Sequence, residues 1–115
     1  LVAAATGFDV KMALYTDSGN LPNTLVASLD NRTSITATGV REIDTVDISL
    51  GNAAYWIAIR ASPTASLTGS TAATTVTRCS RNITIASLDT AWPATFGAAT
   101  CATTAALNIY IVTYR

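Results

Sequence analysis

Residues 8–15, "FDVKMALY", alternate strictly between two sets: Phe8, Val10, Met12 and Leu14 on one side, Asp9, Lys11, Ala13 and Tyr15 on the other. Period two over eight residues predicts a half-buried β-strand. The next stretch, "TDSGNLPN" at 16–23, is dense in residues that open turns or tolerate left-handed backbone angles, so the strand is expected to stop there. Within it Asp17 can form an Asx turn, Gly19 suits a positive φ, and Pro22 fixes the chain entering the next strand. "TLVASL" at 24–29 then reads as the returning strand and "DNRTS" at 30–34 as a second turn.

Residues 40–50, "VREIDTVDISL", carry two periods at once. Val40, Ile43 and Val46 are spaced as on a helix, whereas Val46, Ile48 and Leu50 alternate. High β-branched content favours a strand, with one bulge between Glu42 and Val46 restoring the alternation. After Gly51–Asn52, "AAYWIAIRA" at 53–61 is nearly all apolar and predicts a central strand covered on both faces. Residues 62–77 are small and polar, which predicts a long loop with a short strand near Val76. Ile83 and Ile85 mark another short strand, and residues 89–106 read as irregular because Pro93 and Gly97 interrupt them. "LNIYIVTYR" closes the chain with a clean alternation that places Leu107, Ile109 and Ile111 on one face. No segment has a convincing helical period. Several short strands separated by turns predict a single all-β domain over residues 1–115, an antiparallel β-sandwich of jelly-roll-like type. Phe8, Val10, Met12, Leu14, Ile57, Ile59, Ile109 and Ile111 are its candidate core.

Composition narrows the function classes. Half the residues are hydrophobic and only 12% are charged, so the solvent-facing positions must be largely Thr, Ser, Asn and Ala. Seven basic residues balance seven acidic ones, and no net field is available to attract nucleic acid or an anionic membrane. A surface so poor in charge resists association weakly, which points to a homo-oligomer. The longest apolar run, residues 53–59, is far shorter than the roughly 20 residues of a membrane-spanning helix. "LVAAAT" at the start has no Met and no basic leader segment, and reads as an excised or processed end.

Candidate chemistry is sparse. Histidine is absent, Lys11 is the only lysine and Glu42 the only glutamate, so the usual activators of a nucleophile are missing. Asp44 and Asp47 read as solvated edge charges. No phosphate-binding glycine loop and no Cys/His cluster occurs, and a non-catalytic protein without a cofactor is expected. Asp17, Ser18 and Asn20 superficially resemble part of a calcium loop, with Asp17 and Asn20 as the metal alternative, but further carboxylates and the distal Glu are missing. Cys79 and Cys101 fit neither a metal site nor a CxxC pair, and two readings stay open: a structural disulfide or two separate buried thiols. Asn31 and Asn82 begin tripeptides of the glycosylation type, a pattern common by chance in a Thr-rich chain. Among the aromatics, Trp56 lies within the most apolar strand and reads as core. Trp92, beside Pro93 and near Phe96 in an irregular segment, is the candidate for ligand or subunit contact, with covering the end of the sandwich as the competing role.

Three stretches, "VKMALYTDSGNLPNTLVAS", "TGVREIDTVDISL" and "GNAAYWIAIRAS", together resemble a β-sandwich module of tailed-bacteriophage virion proteins, the tail-fibre, receptor-binding and head-decorating components. In that family a "D-x-G-x-P-G-x-L" turn follows the first hairpin strand, a "T-G-x-K-E" step opens another strand, and a "G-x-Y-W-L-A" strand comes next. The resemblance covers about residues 10–61, with Asn23 where the family commonly has Gly and Ala54 inserted before "YWIA". It thins after residue 62 to "AWPATFG" at 91–97. The resemblance implies a trimeric virion protein that contacts other virion subunits and possesses loops suited to a host surface glycan. The family also has a strand before the first hairpin, for which "LVAAAT" leaves little room; an incomplete chain or a strand supplied by a neighbour is expected. A secreted, extracellular carbohydrate-binding or adhesin-type sandwich is the alternative reading. In the oligomeric virion reading residues 62–78 and 90–104 are expected to gain their order mainly against another subunit, with Trp92 or Phe96 losing exposure on assembly.

Overall fold

The computed structural model describes residues 2–3, 6–40, 48–62, 75–80 and 88–105. Among these residues the regular structure is all strand and all pairings are antiparallel. The elements are β1 (Val2–Ala3), β2 (Phe8–Asp17), β3 (Pro22–Ile35), β4 (Gly39–Val40), β5 (Tyr55–Ala61), β6 (Thr75–Ser80) and β7 (Thr100–Ala105). They form a three-stranded sheet in the order β3-β2-β5 and two small ladders, β1 with β4 and β6 with β7.

The β2–β3 hairpin is closed by a two-residue turn. Gly19 and Asn20 both have positive φ, 61° and 62°, and Ser18 and Leu21 exchange their backbone hydrogen bonds at 2.9 and 3.2 Å across it. Two successive left-handed residues match the right-handed twist of the strands they join, and Gly and Asn are the residues that tolerate this at least cost. Local chemistry alone therefore sets this reversal.

The second turn expected at 30–34 does not reverse the chain. β3 continues through it to Ile35. The strand has 14 residues against 10 in β2, and the surplus is absorbed at three register shifts. The largest lies between the Val10–Thr33 and Met12–Leu29 pairs, where residues 30–32 stand opposite Lys11 alone. Turn-forming residues at that point bulge the strand instead of ending it. Bulges on an outer strand also oppose pairing with a foreign edge.

Strand order also corrects the roles expected of β2 and β5. β2 is the central strand, whereas β5 pairs only with β2 among the described residues. β2 is buried on both faces: Phe8, Val10 and Met12 are no more than 8% exposed, and Lys11, Ala13 and Tyr15 on the opposite face no more than 5%. The first face holds the core, in which Ala3, Phe8, Val10, Met12 and Ile35 pack together with Leu14, Ala27, Ile48, Ile57, Ile59 and Ala61 against them. Full burial of each large side chain there is worth about 1.5–3 kcal/mol. Of the expected core residues, Ile109 and Ile111 lie outside the described residues.

Of the strand expected over 40–50, the described residues show Val40 in β4 and residues 48–50 without regular structure; residues 41–47, with Asp44 and Asp47, lie outside the described residues. Ile48 still reaches the core. A short strand near Val76 exists as β6, but its partner β7 runs through a stretch expected to be irregular. Thr and Ala give that stretch little hydrophobic period. Its strand is specified by pairing, with Cys79 directly opposite Cys101 and joined to it by a disulfide. The bond spans a sequence separation of 22, for which loop-closure entropy alone gives about 3 kcal/mol of stabilisation. Residues 81–87 and 106–115, which hold Asn82, Ile83, Ile85 and the closing alternation, lie outside the described residues.

Candidate functional site

The second face of the sheet is where the chain concentrates its polar and aromatic side chains. Registers Lys11–Arg60, Ala13–Ala58 and Tyr15–Trp56 set these six residues side by side on it. Lys11 and Arg60, 5% and 9% exposed, are like charges directly across from one another, an arrangement that destabilises a sheet unless other groups compensate.

Compensation comes from a strap formed by residues 90–97. Arg60 donates from Nη1 to the Thr90 carbonyl at 2.6 Å, and its guanidinium carbon lies 4.4 Å from the centre of the Trp92 ring. A cation over an indole face is favoured by the ring's quadrupole, and more so when both are withdrawn from water. Tyr15, fully buried, meets Trp92 and Phe96 edge to face at centroid distances of 6.5 and 5.2 Å. Its hydroxyl donates to the Pro93 carbonyl at 2.7 Å. The small Ala13–Ala58 pair between Tyr15 and Arg60 leaves room for the indole that touches both.

Beyond Trp92 the strap becomes an added edge of the sheet. Leu25 N–H donates to Ala94 O at 2.8 Å, Phe96 N–H donates to Asn23 O at 2.7 Å, and Thr24 bridges Thr95 in antiparallel sense. Pro93 fits this position because it offers its carbonyl to Tyr15 and has no N–H to satisfy. Residues 90–97 thus have partners within their own chain. Trp92 and Phe96 are half-buried and turned onto the sheet. The indole N–H of Trp92 and the Ser28 hydroxyl are buried without a hydrogen-bond partner.

Asp17 stands at the end of the same face. Its Oδ1 accepts the Trp56 indole N–H at 2.6 Å and its Oδ2 accepts the Asn20 backbone N–H at 3.3 Å. Asp17 and Asn20, paired above as metal donors, are therefore joined by a turn hydrogen bond, and both carboxylate oxygens are engaged. Among the described residues no group of three or more His, Cys, Asp or Glu side chains gathers as a metal site would require. Trp56 is half-buried with its polar edge satisfied by Asp17, not enclosed in the core. We predict that Asp17→Ala costs about 1–2 kcal/mol, from loss of a charge-assisted hydrogen bond in a partly wet setting. Urea unfolding of the variant measures it, and the melting temperature of the parent chain should be the same with calcium and with chelator.

Sequence reasoning singled out Trp92, Phe96, Asp17 and Asn20 but missed Tyr15 and Arg60, the residues on which the strap rests, and the burial of Lys11 beside them. One signal was available. A charged residue inside an otherwise apolar strand, Arg60 in "AAYWIAIRA", requires a partner, and an aromatic-rich segment elsewhere in the chain can supply it.

Comparison of the chain with protein-family models, with curated proteins and with solved structures gives no match in any of the three.

Proposed function

We propose that the chain is a non-catalytic structural or receptor-binding module of a bacteriophage particle, of the tail-fibre or capsid-decoration type, with its strands arranged as a jelly-roll-like sandwich. One observation carries this reading: among the described residues, three of the separate segments that resemble the phage module meet in one packed unit. The β2–β3 hairpin, β5 and "AWPATFG" lie against one another, joined through Tyr15 to Pro93, Trp56 to Asp17 and Asn23 to Phe96. Segments far apart in sequence but contiguous in the fold are what a module-level resemblance requires.

The reading includes self-assembly as a trimer. Leu21, Val26 and Leu50 are large apolar side chains that are 48%, 37% and 44% exposed, and they add to a surface with few charges to keep copies apart. Sedimentation equilibrium at micromolar concentration is expected to give three times the chain mass of 11.9 kDa. A monomer at that concentration that binds glycans in solution would replace this reading with the adhesin-type alternative. Antibodies against the chain should in turn decorate intact phage particles, the observation that separates a virion module from any other trimer.

A further inference from the structure

We propose that the Cys79–Cys101 disulfide is a redox-sensitive latch on the aromatic strap, whose reduction uncovers the sheet's second face. The bond joins β6 to β7, and the segment it closes contains the whole strap, residues 90–97. Opening the bond lengthens the tether on which the strap is held without touching any contact the strap makes.

Several features make the strap, and not the sheet, the part that responds. Its hold on the sheet is a set of discrete contacts: the hydrogen bonds of Leu25 to Ala94, Phe96 to Asn23, Tyr15 to Pro93 and Arg60 to Thr90, with the rings of Trp92 and Phe96. The buried Trp92 indole N–H, which has no hydrogen-bond partner, opposes that hold and gains water on release. The latch itself sits on a ladder of two strands, with no third strand among the described residues, and two-stranded ladders are marginal without a staple. Both cysteines are partly exposed. Among the described residues, the core on the other face of β2 takes no side chain from the closed segment.

The chemistry is thiol–disulfide exchange with a dithiol. One thiolate of the reductant attacks a cysteine sulfur and breaks the S–S bond, and its second thiol displaces the mixed disulfide. The reductant leaves as its own disulfide after giving two electrons, and Cys79 and Cys101 each end as a thiol. The released strap exposes Tyr15, Trp92 and Phe96 next to the guanidinium of Arg60.

Amide hydrogen exchange on the unmodified chain, with and without dithiothreitol, tests this. Alkylation and mass measurement must count two thiols in the reduced sample. The Leu25 and Phe96 amides, which hold the strap to β3, should then exchange roughly 10- to 100-fold faster, since the closure entropy of a loop this long corresponds to about two decades in an opening equilibrium. The Asp17 and Ser62 amides, bonded to Ala54 and Asp9 in the sheet, should keep their rates. A C79S/C101S chain should show the same pattern without reductant. Unchanged exchange at Leu25 and Phe96 in the reduced chain would overturn the proposal. Equal acceleration at all four amides would overturn it as well, because the bond would then staple the whole fold and not the strap.

Discussion

Tyr15→Ala should destabilise the chain by about 3–5 kcal/mol, the range for removing a fully buried aromatic side chain, whereas Tyr15→Phe should cost only about 1–2 kcal/mol. Tyr15 is 0% exposed, meets two other rings edge to face, and donates its hydroxyl proton to Pro93 O. Ala removes all of this and leaves a cavity under the strap that Trp92 and Phe96 cannot close without abandoning their other contacts. Phe keeps the ring and both edge contacts but leaves the Pro93 carbonyl without its donor. Since a domain of this size is stable by only about 5–15 kcal/mol, the Ala variant should lose a substantial fraction of its stability. Urea unfolding checks both: the midpoint should fall in the order parent, Phe, Ala, with the slope unchanged if the native state remains compact. Equal losses in the two variants would mean that the hydroxyl, not the ring, holds the strap.

How much of this was legible in the sequence depended on whether the deciding force was local. The Gly19–Asn20 reversal was readable because the turn residues carry their own conformational preference, and the face of Phe8, Val10, Met12 and Leu14 because period two needs no knowledge of what lies opposite. The same strand was expected to be half-buried and is buried on its other face too, where Tyr15 is a polar-tipped residue covered by residues 92–96, some 80 positions away in the chain. Residues 30–32 have turn chemistry in either case. Whether they reverse the chain or bulge within a strand is decided by the pairing of Thr33 and Leu29 with β2, which propensity does not encode. β7 gave no signal for the same reason: Thr and Ala form a strand there because β6 and the Cys79–Cys101 bond hold them in register. The place of Trp92 over Arg60 could be seen only once β5 was set beside β2.

Arg60 supplies the second large effect. Arg60→Ala should cost about 2–4 kcal/mol, because one side chain provides a cation over the Trp92 ring, worth about 0.5–2 kcal/mol, and a charge-assisted hydrogen bond to Thr90 O, worth about 1.5–3 kcal/mol, and the two are not additive. Arg60→Lys should recover less than half of that. A guanidinium can lie flat on the indole while Nη1 reaches the carbonyl; an ammonium is a point donor, more strongly hydrated, and must choose one of them. Lysine would also stand opposite Lys11 without the delocalised, weakly hydrated charge that eases burial. The near-ultraviolet circular dichroism of Trp92, measured in a Trp56→Phe background so that one indole reports, should weaken in both variants as the ring loses its fixed partner. If Arg60→Lys matches the parent in both stability and that signal, a positive charge at position 60 is sufficient and the planar stack on Trp92 is not what fixes the strap.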